Sequence, residues 1–177
     1  LLGVLDLDST QARTTEDICT GASHPMPTGR IYGGQVLAQS LIAAERTLPE
    51  DRPVHSMHGY FLRPGDSAQG ITIAVDRIHD GRSFSTRRSQ AYQNGVPIFS
   101  MIASFQDGDP GVEHAEPLPS GIPAPETLSP DEETLEGLPG GAMRMLTDRA
   151  ADIRHVGHPL YLPGDGDQPA NLLRLLD

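Results

Sequence analysis

The pattern with the clearest chemical potential is Gly33-Gly34-Gln35, where two residues without side chains lead into an apolar segment. If that segment is a helix, its first backbone N–H groups lack partners within the helix and carry partial positive charge. A carbonyl oxygen that becomes negative during acyl transfer would be stabilised there, and Gln35 could add an amide donor or hold a water. The alternative is a glycine-rich turn that leads into a core helix.

Histidine supplies a second candidate. His55 and His58 are three residues apart, so on a strand they face opposite sides and cannot hold one metal ion together, and no metal site is predicted. His58 could act as an acid, a base or a hydrogen-bond donor near a pocket. The alternative is a structural histidine whose ring nitrogens are satisfied by neighbours.

Arginines give residues 54–106 a locally basic character, among them Arg63, Arg82, Arg87 and Arg88. Guanidinium groups bind phosphates through paired hydrogen bonds. Arg63, Arg87 and Arg88 are therefore candidates for holding the phosphates of a nucleotide-bearing ligand. For each of them the alternative is a solvated position on a sheet.

Composition excludes several classes of function. The 177 residues include 24 acidic and 13 basic residues, a net charge of −11, which disfavours a general binder of nucleic acid or anionic membranes. All the basic residues are arginine, which excludes Schiff-base chemistry and the lysine of a phosphate-binding P-loop. Cys19 is the single cysteine, so no internal disulfide forms and a reducing cytoplasm is expected. No apolar run approaches the ~20 residues of a membrane span.

The elements that would position these residues follow from periodicity. Residues 35–48 predict a largely buried helix that stops before Pro49, with its polar residues expected near its amino end, at its exposed end or at a subunit seam: Gln35, Gln39, Ser40, Glu45 and Arg46. Period-two patterns predict strands over residues 54–63, 71–79, 83–93 and 96–106, and short strands over 16–19 and 30–32. Turns at residues 79–82 and 94–95 make the last three strands an antiparallel meander, to which the strand at 54–63 adds. The prediction is an α+β fold in which the sheet curls around the helix.

Charge and proline content divide the chain. Residues 1–106 carry a net charge of −1, and residues 107–177 carry −10. Seven prolines and nine acids fall between residues 107 and 139, which is typical of a solvated, extended linker. We therefore predict one repeat over residues 1–106, a linker over 107–150 and the start of a second structured unit over 151–177.

Four ordered motifs resemble the amino-terminal repeat of the acyl-CoA thioesterase II family. They lie at residues 29–39 (GRIYGGQVLAQ), 54–65 (VHSMHGYFLRPG), 76–87 (DRIHDGRSFSTR) and 100–106 (SMIASFQ). Residues 152–162 resemble the entry to the second repeat. The resemblance implies a double hotdog fold, hydrolysis of acyl-CoA to fatty acid and coenzyme A without a metal or redox cofactor, and oligomers of double-hotdog units.

The resemblance also bears on individual residues. His58 matches the second histidine of the family's His-Ser-x-His motif and is the best catalytic candidate carried over by position. The family's water-activating Asp, Thr or Ser, and Gln come mostly from the second repeat, whose helix motif residues 171–177 do not match, so Asp177 is not assigned as catalytic.

Two alternatives remain beside hydrolysis. A single repeat without the acidic base would be a non-catalytic module that binds acyl-CoA or supports assembly. An enoyl-CoA hydratase of the same fold would need an Asp and a His at the first helix turn and the loop after it, and neither occurs between Gln35 and Gln39.

Overall fold

A computed structural model describes residues 2–9, 16–49, 52–130, 152–157 and 173–176. The chain divides into two compact units, Leu1–Gly111 and Val112–Asp177. The first unit contains a 3₁₀ turn (Leu2–Leu5), helix α1 (Gly33–Glu45) and strands β1 (Leu7–Ser9), β2 (Asp17–Gly21), β3 (Val54–Phe61), β4 (Ile71–Asp80), β5 (Phe84–Gln93) and β6 (Val96–Gln106). The second contains a 3₁₀ turn (Pro125–Thr127) and strands β7 (Asp152–His155) and β8 (Leu173–Leu176).

The first unit is one antiparallel sheet with the strand order β1-β2-β4-β5-β6-β3. Strands β4, β5 and β6 form the predicted meander, and β3 pairs with β6 along its length. Asn94 and Gly95 have φ angles of 50° and 76°, the left-handed conformation that a two-residue hairpin turn requires between β5 and β6. The predicted strand at 16–19 is the beginning of β2.

The predicted strand at residues 30–32 is wrong. Arg30 makes a single bridge to Asp66, and Gly33 already begins the helix, so no length is left for a ladder.

Helix α1 packs on one face of the sheet, and the core lies between them. Along β4 and β6 every second side chain points into this core, as expected for a half-buried sheet. The core residues include Val36, Ala43 and Ala44 from the helix, Ile71, Ile73 and Val75 from β4, and Phe99, Met101, Ala103 and Phe105 from β6. The sheet therefore wraps around one helix, as the sequence predicted.

The helix is displaced towards the amino terminus relative to the prediction. It begins at Gly33 and ends at Glu45. Thr47 explains the early end, because its backbone N–H and its hydroxyl both donate to the carbonyl of Ala44, at 3.1 and 2.7 Å. A side chain that competes for a carbonyl of the last turn ends the regular helix.

The polar residues of the helix do not all lie at exposed positions. Glu45 and Arg46 are exposed. Gln39 and Ser40 are completely buried, contrary to expectation. The buried Gln39 amide donates to the carbonyl of Ala22 at 2.8 Å, in the segment that follows β2, and so has a partner inside the fold.

In the second unit, β7 and β8 form an antiparallel pair. Residues 107–130 contain no strand, and most are exposed. The rest of the predicted linker, at 131–150, and most of the predicted second unit, including residues 158–172 and Asp177, lie outside the described residues. The boundaries at residues 106 and 150 stay predictions.

Candidate functional site

A cleft of about 290 Å³ opens beside the start of helix α1. It is lined by apolar Ile31, Val36, Phe61, Leu62, Pro64 and Ile98, by Gly33 and Gly65, and by Arg63. An apolar concavity with few polar groups is the usual form of a small-molecule site.

Backbone hydrogen bonds hold the walls of this cleft together. The N–H of Ile31 donates to the carbonyl of Gly65 at 3.0 Å, and the N–H of Ser67 donates to the carbonyl of Gly29 at 3.0 Å. The segment before the helix is thereby tied to the loop after β3. Both walls are set by main-chain geometry, so the cleft is formed before any ligand binds.

Gln93 also holds the loop after β3 in place. Its side chain is almost fully buried; its oxygen accepts from the N–H of Asp66 at 2.8 Å, and its amide donates to the carbonyls of Asp66 and Gln69 at 2.9 and 3.1 Å. Hydrogen bonds from the backbone of Ala68 and the side chain of Gln69 lower the pKa of the Asp66 carboxyl. The loop is therefore held by a buried amide and a charged turn residue.

The first turn of the helix presents free amides at the edge of the cleft. Tyr32 is the N-cap, and its side chain makes no capping bond. The N–H of Gln35 donates to the carbonyl of Tyr32 at 3.0 Å, whereas the N–H groups of Gly33 and Gly34 have no partner within the described part of the chain. Gly33 lines the cleft, and Gly34 is half-buried beneath the ring of Tyr32.

Gln35 does not point into the cleft. It is 2% exposed; its amide donates to the carbonyl of Ala22 at 3.2 Å and to the oxygen of Gln39 at 3.4 Å, and its own oxygen accepts from the N–H of His24 at 3.1 Å. Both of its donors are occupied. The expectation that Gln35 offers a donor to a reacting carbonyl is therefore corrected, and its observed contacts secure the chain before the helix.

His58 lies on the outer face of the sheet. A side chain at neighbouring Gly59 would meet the buried ring of Phe99, and strand alternation puts His58 on the opposite face. Its ring is exposed and stands 4.7 Å from the ring of Tyr60. His58 therefore does not reach the cleft within this unit, contrary to the expectation for a catalytic histidine beside it.

The three candidate phosphate-binding arginines are not brought together. Arg63 lines the cleft, is exposed, and donates to the carbonyl of Pro97 at 2.9 Å. Arg88 is exposed on the outer face, where it pairs with Asp76. In the sheet register Arg88 is opposite Ile102, and Ile102 is opposite His58. Arg63 alone among the three is at the cleft.

Arg87 is completely buried and cannot meet an external phosphate, which corrects that prediction. Its five N–H groups donate to Thr47 Oγ1, to the carbonyls of Thr47, His79 and Thr86, and to Asp80 Oδ1, at 2.6 to 3.1 Å. Desolvation acts to raise the pKa of Asp80, but hydrogen bonds from Arg87 and Ser85, together with the charges of Arg87 and Arg77, outweigh it and keep that pKa below its ordinary value. Arg87 holds the β4–β5 turn against the end of the helix.

Sequence reasoning missed the apolar lining, above all Phe61 and Ile98. Both read as ordinary strand residues, because nothing local shows that two distant segments enclose a space between them. The one available signal was a phenylalanine near the end of the predicted strand at 54–63, two residues before Arg63-Pro64.

The described residues that line the cleft supply no group that could activate a water. None of the described residues that line it is a histidine or a carboxylate. Across the ranges that the structure describes, no three His, Cys, Asp or Glu side chains gather where they could hold a metal ion. Among the described residues, the cleft offers an apolar surface, the free amide of Gly33 and the guanidinium of Arg63.

The part of the chain that forms the cleft matches a known protein family. Residues 22–106 match the family model described as "Acyl-CoA thioesterase N-terminal domain". This segment is similar to an acyl-CoA thioesterase N-terminal domain. The match includes the cleft, the start of the helix and the whole β3–β6 sheet.

The chain is similar to curated proteins from distant organisms. The chain is 42% identical to human acyl-coenzyme A thioesterase 8 over 121 residues, which cover 68% of this chain and 37% of the relative. It is 40% identical to acyl-CoA thioesterase 2 of Haemophilus influenzae over 119 residues, covering 67% of this chain and 41% of the relative. The chain thus spans about two fifths of the length of these relatives.

Comparison with a solved structure confirms the predicted hotdog fold. The crystal structure of acyl-CoA thioesterase II TesB2 from Mycobacterium marinum aligns with a TM-score of 0.64 and 35% identity, over 93% of this chain and 53% of that one. No helix among the described residues is long and apolar enough to cross a membrane.

Proposed function

We propose that this protein hydrolyses fatty acyl-CoA to a free fatty acid and coenzyme A, and that the cleft beside α1 receives the thioester. The observation that carries the proposal is the apolar cleft that reaches Gly33, whose N–H is unpartnered, within a segment matched to acyl-CoA thioesterases. An acyl chain is apolar, so the apolar lining suits it. The thioester carbonyl accepts hydrogen bonds, so the free N–H of Gly33 suits that group.

The proposed reaction depends on stabilising the negative charge that develops on the carbonyl oxygen. Water adds to the thioester carbon, and the carbonyl oxygen becomes negative in the tetrahedral intermediate. The N–H groups of Gly33 and Gly34 at the positive end of the helix stabilise that oxygen. The intermediate then collapses, the carbon–sulfur bond breaks, and the thiolate of coenzyme A takes up a proton as it leaves.

The base that activates the water comes from outside the cleft lining. We place it in a second repeat, because the relatives are more than twice as long as the matched segment. Arg63, exposed at the rim, meets the phosphates of coenzyme A in this arrangement. His58 and Arg88, on the outer face of the sheet, take no part in it.

Pairing with a second hotdog repeat, and oligomers of such pairs, belong to the same proposal. Strand β3 pairs with β6 on one side and with no described strand on the other. An unpaired strand edge presents backbone donors and acceptors that another strand can satisfy. A reducing compartment such as the cytoplasm agrees with the single cysteine, Cys19.

Release of free thiol from medium- and long-chain acyl-CoA by the purified full-length protein tests the proposal. We expect turnover that increases in proportion to the amount of enzyme. A folded, intact protein that releases no thiol above background would disprove hydrolysis.

The second candidate is a module that binds acyl-CoA without turning it over, and the absence of an acid or base in the cleft lining favours it. Calorimetry distinguishes the two candidates. Heat of binding by the full-length protein without thiol release would support the module.

A further inference from the structure

The start of helix α1 is not fixed by its own residues. Three of the six residues from 29 to 34 are glycine, and Gly29 has a φ of 70°. Glycine leaves the backbone more conformations than any other residue does. The N-cap residue, Tyr32, makes no side-chain hydrogen bond to the first turn. Another part of the chain must therefore hold the free N–H of Gly33 in place.

The loop after β3 supplies this support. The N–H of Ile31 donates to the carbonyl of Gly65 at 3.0 Å. The N–H of Ser67 donates to the carbonyl of Gly29, also at 3.0 Å. A Cβ on Gly65 would stand 2.8 Å from Cδ1 of Ile31, so the two segments are in direct contact. Because Ile31 precedes Gly33 by two residues, a shift of the loop moves the N–H of Gly33.

The loop in turn is held by one buried side chain. Residues 62–70 form no helix or strand, so side chains must supply part of what fixes them. Gln93, 8% exposed at the end of β5, accepts from the N–H of Asp66 and donates to the carbonyls of Asp66 and Gln69, at 2.8 to 3.1 Å. Losing it would leave these backbone groups without partners, which is unfavourable. Gln93 therefore sets where the loop lies.

We propose that Gln93 is a positioning residue for thioester hydrolysis, which places the N–H of Gly33 at the reacting carbonyl by holding the loop after β3. This inference rests on the proposed function, in which Gly33 stabilises the developing negative charge. Gln93 does not line the cleft, so it acts without touching the substrate. Its effect passes through the loop and Ile31 to the start of the helix.

Gln93→Met keeps the length of the side chain and removes all of its hydrogen bonds. A misplacement of about 1 Å in a catalytic site can cost about 100-fold in rate, so we expect kcat to fall by about 10- to 100-fold. Stabilisation of the negative oxygen exists only in the transition state, so KM should change by about threefold or less. A residue needed for stability alone would leave kcat per folded molecule unchanged.

Gln90→Met is the matched control. Gln90 lies on the same strand and is half-buried, and its oxygen accepts from the hydroxyl of Tyr92. Strand alternation places it on the outer face, because its neighbours Ser89 and Ala91 are completely buried. The same substitution there removes an amide that does not contact the loop, so kcat should be unchanged.

The test uses the purified full-length protein and both variants, at a temperature where circular dichroism shows that all three are folded. Thiol release from a straight medium-chain acyl-CoA gives kcat and KM. Amide hydrogen exchange, resolved by residue, gives the second measurement. We expect Gln93→Met to speed exchange at residues 29–34 and 65–69, and Gln90→Met to leave it as in the wild type.

An unchanged kcat in Gln93→Met, an equal loss in Gln90→Met, or unchanged exchange at residues 29–34 would overturn the inference. If Gln93→Met does not fold, exchange in the wild type decides. The N–H groups of Ile31 and Asp66 should then exchange at one slow rate, because one opening of the loop frees both. An Ile31 N–H that exchanges much faster than that of Asp66 would rule out the support described.

The same measurements separate this inference from the proposed function. Turnover by the wild type with an unchanged kcat in Gln93→Met disproves the role of Gln93 alone. Absent turnover by a folded wild type disproves hydrolysis.

Discussion

Arg87 and Arg88 are adjacent and chemically identical, but their surroundings differ completely. Strand alternation turns Arg87 to the inner face, where it is fully buried and all its donors are used. It turns Arg88 to the outer face, where it is 53% exposed and pairs with Asp76. An ion pair in water contributes little to stability, whereas a buried guanidinium with all its hydrogen bonds cannot be removed without leaving unsatisfied partners.

Arg87→Ala is therefore expected to lower the free energy of unfolding by about 3 kcal/mol. The carbonyl and hydroxyl of Thr47 lose their donors in a site that water does not reach. The measurement is urea denaturation followed by circular dichroism.

Arg88→Ala is the control, with an expected loss of less than about 1 kcal/mol. Equal losses in the two variants would show that Arg87 does not carry the network described.

At the scale of elements, the β5–β6 turn sets the register of the sheet. Asn94 and Gly95 both adopt positive φ, and a Cβ on Gly95 would meet no atom within 4 Å. Space is therefore not the constraint at this position. The cost of a side chain there is conformational, because residues with a Cβ disfavour the left-handed region.

Gly95→Ala is expected to destabilise the protein by about 1–2 kcal/mol for this reason alone. Thermal unfolding of the purified variant measures this loss of stability.

Gly108→Ala gives the comparison, because its added carbon also meets nothing within 4 Å and its φ is not in the left-handed range. Its effect should stay within about 0.5 kcal/mol. A loss as large as that of Gly95→Ala would mean that the turn conformation is not the cause.

At the scale of the whole molecule, the open side of β3 is the feature that a partner must cover. If another repeat pairs along this edge, Tyr60 lies at the seam, and a charged side chain placed there loses water without gaining a partner. Tyr60 is 64% exposed, so a polar replacement costs little in the unpaired repeat.

Tyr60→Lys is thus expected to weaken association, measured as a shift towards smaller species in sedimentation velocity. Thr72→Lys places the same charge at an exposed position on β4, a strand with neighbours on both sides, and should leave the distribution unchanged. A wild-type protein that sediments as a stable single repeat would contradict pairing altogether.

The sequence by itself determined the central helix and the four long strands of the sheet. Period-two patterns located β3 to β6, Asn94-Gly95 located the turn between β5 and β6, and Gly33-Gly34 marked the start of the buried helix. These signals are local, because each depends on the intrinsic conformational preference of a few neighbouring residues. The four motifs indicated the family for the same reason, because each motif is a run of neighbouring residues that can be recognised without the tertiary structure.

The tertiary structure alone decided which candidates share a site. It buried Arg87, turned His58 to the outer face and used the amide of Gln35 for Ala22. It also joined Phe61 to Gly33 in one cleft. These outcomes depend on contacts between residues far apart in sequence and on which face of a strand meets the helix, and a one-residue shift in register would reverse them.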